Sequence, residues 1–356
     1  MKPLVWLAAT VLILAMALSE SPSFEDPRLE LAIRSELGIP AGQLTRSDLR
    51  RITQVTAIGL DIVSLVGLEL CSNLRFIDLS ENHISDLGPL AQLSALETLV
   101  LRSNQVGDTS PLSKLTRLVH LDLDFNDVTD IDPLANLTRL RWLGLWNSRI
   151  VDISPLAKLT DLEELGLSGN PIQDTAPLVG LVKLRWLGLP NTGVESLEFI
   201  RGKTNLIKLS LGGNAISDLA PLSELTQLEG LGLDSNNVVD VSPLAQLTSL
   251  QRLSLWGNHI EDITSLANLS QLTQLWLDRN PLSNIEVVRQ FHSLRILGLS
   301  QLPIDSLEAL IANTGLGEGD EIDLRGTRPS LTPNAEDLDS IHRLIDRGIH
   351  VQWDGP

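Results

Sequence analysis

The chain has 356 residues, of which 43% are hydrophobic but only 3% aromatic, with 7 tryptophans, no tyrosine, 1 cysteine and a formal net charge of -18. That balance excludes nucleic acid as a partner, because binding phosphates needs a basic track, and a lone cysteine excludes an internal disulfide. Length alone would suggest two or three globular units, but the uniform pattern described below predicts one elongated domain.

At the N-terminus Lys2 precedes an apolar run from Leu4 to Leu18, and Ala15-Met16-Ala17 offers small residues at the spacing a signal peptidase reads. Residues 1–17 are therefore expected to be a signal peptide, and the protein to be secreted or held in the periplasm or cell envelope. The run is short for a membrane span, so no stable membrane insertion is expected after cleavage. No cysteine stands near the cleavage site to carry a lipid.

Residues 24–51 predict a helical cap. Asp26-Pro27 is an N-cap followed by proline at the first helical position, Leu29, Ile33 and Leu37 form one stripe, and Gly38 stops the helix. A second short helix starts at Thr45, whose spacing to Asp48 suggests a capping box. Repeats occupy 52–317, beginning weakly with Val55, Ala57 and Ile62, and Cys71 is read as a small core residue.

From Leu74 to Leu294, eleven leucines recur every 22 residues without an insertion. Each is followed by an apolar residue three positions on, Ile77 through Leu297, and by a leucine five positions on, Leu79 through Leu299. The motif LxxLxLxxN ends in Asn82, Asn104, Asn126, Asn170, Asn214, Asn236, Asn258 and Asn280, with Ser148 and Thr192 among the exceptions. A short alternating segment suits a strand with one face inward, and one unit can bury its leucines only against the next. A buried asparagine both donates and accepts, so it can serve backbone groups where the chain reverses. Prolines from Pro89 to Pro243 and aspartates from Asp86 to Asp262 belong to the returning outer segments. Solvated turns are the preferred reading of these aspartates over calcium ligands.

The chain resembles the leucine-rich repeat family, and its second half-motif, as in Asp130-Ile131-Asp132-Pro133-Leu134, resembles the bacterial internalin class. The resemblance implies an α/β solenoid: a curved right-handed coil with a parallel concave sheet, a helical N-terminal cap and a helix-strand C-terminal cap. It also implies binding on the concave face.

The repeat from Leu184 to Lys203 departs most from the pattern, with Pro190, Thr192, Ser196, Phe199 and Lys203 in unusual places, and a local irregularity or change of curvature is expected there. After Ile304 the spacing breaks. Residues 318–356 predict a cap, with a strand at Glu321 to Leu324, a helix from Asn334 to Arg347 and a last strand from Ile349 to Trp353. No segment remains for a catalytic domain or a wall anchor, so the repeats are expected to carry the function.

The residues between the motif leucines face away from the core. Apart from Trp6 and Trp353, every tryptophan falls in these outward columns. Trp142, Trp146 and Trp186 surround Gly144, Gly166 and Gly188, which predicts aromatic walls over a glycine floor. Exposed tryptophan is over-represented at binding hot spots. Trp256 and Trp276, with Arg252, Asp278 and Arg279, make a second candidate patch, and Phe125 is added to the candidate contacts. The alternative, rings lying flat on their neighbours and binding nothing, follows from the usual burial of tryptophan. His120, Asp122 and Asp124 alternate along one strand without converging, so an acidic surface is expected there and no metal site. No nucleophile, base and orienting group cluster, and no phosphate loop is present.

These observations predict a non-enzymatic module without a cofactor that binds a protein or peptide, the alternative being a glycan or cell-envelope polymer held by the tryptophans.

Overall fold

The computed structural model describes residues 22–304, 306–327 and 335–354. The expected signal segment 1–17 lies outside the described residues, as does Asn334, the expected start of the last helix. The chain divides into two compact units between Arg139 and Leu140. That division falls inside the uniform array, where the periodicity gives no sign of it.

In the first unit, helix α1 (Pro27–Leu37) starts where Asp26 Oδ1 accepts from the Arg28 amide at 2.9 Å, and it ends at Gly38, whose φ of 66° only glycine adopts without strain. Helix α2 (Arg46–Leu49) carries the expected capping box: the Thr45 hydroxyl accepts from the Asp48 amide at 3.1 Å, and the Asp48 carboxylate accepts from the Thr45 amide at 3.0 Å. Asp26 also reaches forward, its Oδ2 accepting from the Val63 amide at 2.9 Å. One carboxylate thus caps the first helix and pins it to the start of the repeats. Burial pushes the Cys71 thiol up to about 12, with the Glu69 charge adding to the effect, so it behaves as a small core residue.

The strands of this unit are β1 (Gln54–Thr56), β2 (Phe76–Asp78), β3 (Thr98–Val100) and β4 (His120–Asp122), parallel and in chain order. Each residue pairs with the one 22 positions on, as Ile77 does with Leu99. The register that the leucines set in sequence is therefore the register of the ladder. Every strand is three residues long, and its central apolar side chain is buried.

The asparagine column is a second ladder. Asn104 Oδ1 accepts from the Ile84 amide at 2.9 Å while its Nδ2 donates to the Leu79 and Leu101 carbonyls at 2.9 and 3.0 Å. Because Asn82 Nδ2 also donates to Leu79 O, at 2.9 Å, that carbonyl uses both lone pairs on successive asparagines. On the outer side the aspartates close turns: Asp108 Oδ1 accepts from the Ser110 amide at 2.8 Å, at the head of the helical turn Ser110–Lys114 that contains Pro111.

The second unit continues the scheme with β5 (Trp142–Gly144), β6 (Glu164–Gly166), β7 (Trp186–Gly188), β8 (Lys208–Ser210), β9 (Gly230–Gly232), β10 (Arg252–Ser254), β11 (Gln274–Trp276) and β12 (Ile296–Gly298). A short helix α3 (Glu308–Ala312), not foreseen from sequence, stands where earlier repeats have a helical turn. Strands β13 (Glu321–Asp323) and β14 (His350–Gln352) extend the parallel order, with helix α4 (Ala335–Asp346) between them. Among the described residues, no helix is long and apolar enough to cross a membrane.

The irregular repeat leaves the strands undisturbed, since β7 pairs in register with both β6 and β8. Its departures are local. Thr192 keeps half of the missing asparagine's work, its hydroxyl donating to Leu189 O at 2.7 Å, and the Ile172 amide turns to the Asn170 and Thr192 carbonyls at 2.9 and 3.2 Å. Outside, the chain turns at Gly202, with φ of 77°, and sends Lys203 into the leucine column, fully buried, with Nζ donating to Val179 O at 2.9 Å. At the other exception, the buried Ser148 Oγ has no hydrogen-bond partner among the described residues.

Candidate functional site

Within the second unit the structure brings Trp142, Trp146 and Trp186 together on the strand face opposite the core. All three are half-buried and line one cavity of about 490 Å³, with Glu163, Glu164, Arg185 and Lys208 among the other lining residues. Trp142 and Trp186 project from the first positions of β5 and β7, and Trp146 follows β5 by two residues. The Trp146 and Trp186 rings lie 5.8 Å apart between centroids at 41°, a tilted pair within the favourable range for aromatic contact.

The glycines play a different part from the one expected. A Cβ on Gly166 would lie 1.8 Å from Trp146 Nε1, and one on Gly188 would lie 3.0 Å from Trp186 Cη2. Gly144, Gly166 and Gly188 are all buried. They are not an open floor between walls, because two of them are seats over which indoles fold. The flat-lying alternative describes Trp146 and Trp186 in part, yet both keep solvent-accessible surface beside the cavity.

The rim carries both signs of charge. Glu163 pairs with Arg141 at 3.3 Å, while Glu164, Arg185 and Lys208 are exposed. Sequence reading placed Glu164 and Lys208 in the outward columns but missed Glu163 and Arg185, which precede the column positions of their repeats and contribute from the strand edge.

In the second patch, Trp256, Trp276, Asp278 and Arg279 line another cavity, of about 410 Å³. Arg252 is exposed on β10 and is not among its lining residues, a correction to the patch expected from sequence. The cavity is completed instead by Glu321, Asp323 and Gln352 from the last two strands. Those residues occupy outward positions, but Ile296 pairs with Glu321 across a step of 25 residues, so the 22-residue count stops before it reaches them.

Phe125 belongs to the first unit, at φ of 56°, and the Arg102 guanidinium covers its ring at 4.6 Å from the centroid. Arg102 also reaches Asp124 Oδ2 at 3.2 Å. The acidic row expected at the surface is largely enclosed: Asp122 is 8% exposed and Asp124 2%. Burial raises the Asp122 carboxyl above its ordinary range, against a hydrogen bond from the Asp124 amide at 2.9 Å. Among the described residues no three histidine, cysteine or acidic side chains gather as metal ligands.

Parallel three-residue strands, an asparagine ladder and short outer turns define a leucine-rich repeat coil. The family described as leucine rich repeats in two copies matches residues 72–114, 94–136, 138–180, 204–246, 226–268 and 248–290. The chain is similar to the crystal structure of an internalin, InlF, from Listeria monocytogenes, at 33% identity and a TM-score of 0.74 over 82% of this chain and 94% of that one. The chain belongs to the leucine-rich repeat family, in its internalin-like class. A leucine-rich repeat protein of Leptospira interrogans shares the fold at 23% identity and a TM-score of 0.71, over 80% of this chain and 74% of that one. The functional domain of InlJ from Listeria monocytogenes does so at 22% identity and 0.63, over 86% and 60%. No curated protein sequence compared with the chain matches it.

Proposed function

We propose that this protein is an exported, non-enzymatic binding module that recognises a protein or peptide partner on the open face of its strands, anchored at Trp142, Trp146 and Trp186. The observation that carries the reading is the gathering of three half-buried indoles around one cavity whose rim holds both carboxylates and cations. Large aromatic groups already fixed against their neighbours lose little freedom on association. A mixed-charge rim suits the alternating donors, acceptors and charges of a polypeptide. Membership of a class that is often protein-binding supports the same reading.

The test is a proteome-wide binding screen with the whole protein, repeated with Trp142→Ala plus Trp186→Ala, beside a glycan array. Each anchoring tryptophan is expected to contribute about 2 kcal/mol, roughly a thirtyfold change in affinity. Partners bound equally by the double variant would remove the tryptophan cluster from the account, and a sugar ligand lost with the tryptophans would replace the polypeptide reading.

A further inference from the structure

We infer that the cavity between β11 and β14 receives a cationic group, the guanidinium or ammonium of a basic peptide side chain, against the Trp256 and Trp276 indoles. The inference rests on the reading of this strand face as a binding surface, but not on the Trp142 cluster.

Three observations converge. The first is how the cavity is opened. A Cβ on Gly298 would stand 2.9 Å from Trp276 Cδ1 and 2.2 Å from Asp278 Oδ2, so the glycine lets an indole and a carboxylate share one wall. The second is charge. Asp278, Glu321 and Asp323 line the cavity against one lining arginine, Arg279. Asp323 is already held by Arg325, at 2.9 Å and 2.6 Å, an arrangement that keeps its carboxyl below the usual range. Asp278 Oδ1 accepts from the Ser300 amide and hydroxyl at 2.8 and 2.6 Å, which fixes the carboxylate in place. Glu321 is exposed and makes no ion pair among the described residues. The pocket therefore carries surplus negative charge that a cation would neutralise and an anion would meet as repulsion.

The third observation is the behaviour of Arg279. Its guanidinium carbon lies 5.9 Å from the Trp256 ring centroid, at the outer limit of about 6 Å for a cation over an aromatic face. An exposed side chain of the protein itself thus marks the face that attracts a cation and holds it loosely, as an internal stand-in that an incoming arginine or lysine would displace. Two indoles with carboxylates at their edges match a planar guanidinium, which stacks and hydrogen-bonds at once.

The probes are acetyl-Arg-Gly-Arg-amide, the same peptide with glutamine for arginine, and the same with glutamate. Each is titrated into protein carrying 15N-labelled tryptophan, with the indole N–H signals assigned by single Trp→Phe variants. The arginine peptide is expected to shift the Trp256 and Trp276 signals saturably, the glutamine peptide to bind about tenfold more weakly, and the glutamate peptide not to bind. Binding should weaken as salt screens the carboxylates. Glu321→Gln, at an exposed position, should weaken the arginine peptide severalfold. Arg279→Gln should tighten it by about threefold, because the internal competitor is gone.

Equal binding of the arginine and glutamine peptides would overturn the inference, as would an Arg279→Gln variant that binds no tighter, or shifts confined to Trp142, Trp146 and Trp186. Since Trp142→Ala plus Trp186→Ala should leave this titration unchanged, failure here and failure of the tryptophan cluster are read separately.

Discussion

Lys203 stands in a column that holds Leu181 and Leu225 in the flanking repeats, and like them it is fully buried. Burial away from countercharge pushes its ammonium from the ordinary lysine value of 10.5 down to about 8. A drop of that size means that the charged form costs the folded state about 3 kcal/mol at neutral pH. The sign follows from proton binding: between about pH 8 and 10.5 the unfolded chain holds a proton that the folded chain has released, so stability rises with pH across that window. Below about 8 the penalty is present in full. Lys203→Leu removes it and restores the column, while Val179, whose carbonyl loses the Nζ donor, is 55% exposed and can turn to water. The variant is expected to be more stable at pH 7 by about 3 kcal/mol, with the gain shrinking toward pH 10. Urea unfolding followed by tryptophan fluorescence at pH 7, 8.5 and 10 measures it. A variant less stable than the parent at pH 7, or one whose advantage does not depend on pH, would refute the argument that an unpaired charge is buried there.

Asp26 has the opposite sign. Burial works against its charge, but the Val63 and Arg28 amides that donate to it win and hold the carboxyl below the ordinary range, so its contribution is present above about pH 4 and lost as acid reaches the folded value. Asp26→Ala should lower stability by about 1–2 kcal/mol at pH 7 and flatten the acid limb of a pH series, and an unchanged limb would count against the pin between helix and repeats. Cys71, with a thiol pushed up to about 12 and no exposed surface, should react with iodoacetamide at pH 8 only as fast as the fold opens; labelling at the rate of a free thiol would contradict its place in the core. Gly166→Ala should displace the Trp146 ring, because the new Cβ would overlap Nε1, and so change the tryptophan fluorescence and weaken any partner of the cluster; a spectrum identical to the parent's would show that the ring does not sit over Gly166.

Much of the fold was legible because one spacing governs several kinds of contact. The same 22-residue step that repeats Leu74 and Leu96 sets the pairing of Ile77 with Leu99, and the asparagine column could be assigned its task from donor and acceptor count alone. Spacing says less about side chains that meet on a diagonal. Trp146 folds over Gly166, 20 positions on, Trp276 lies beside its register partner Gly298, 22 positions on, and Trp186 leans on Gly188 of its own strand, so the choice of seat depends on where a gap is offered. The glycines beside these tryptophans were the available signal, and Gly166 and Gly188 are seats where the sequence suggested a floor. Asp122 and Asp124 were misread for a related reason, since an outward column guarantees direction but not exposure. Glu321 and Asp323 were missed as site residues because the strand that carries them follows a longer turn.

Pairing a large ring with a missing side chain has a consequence for recognition. An indole standing free above a sheet would sample several rotamers, and a partner would have to select one at the expense of binding energy. An indole resting in a glycine seat has already lost that freedom on folding and has hidden part of its apolar surface, which limits aggregation through an exposed patch. What it still shows is an edge and part of a face in a fixed orientation. The two tryptophan-lined cavities share this construction but differ in their charged neighbours, with Lys208 and Arg185 beside Glu163 and Glu164 in one, and Asp278, Glu321 and Asp323 around Arg279 in the other. The seats account for rigidity, and the charges at the rim are left to discriminate between ligands.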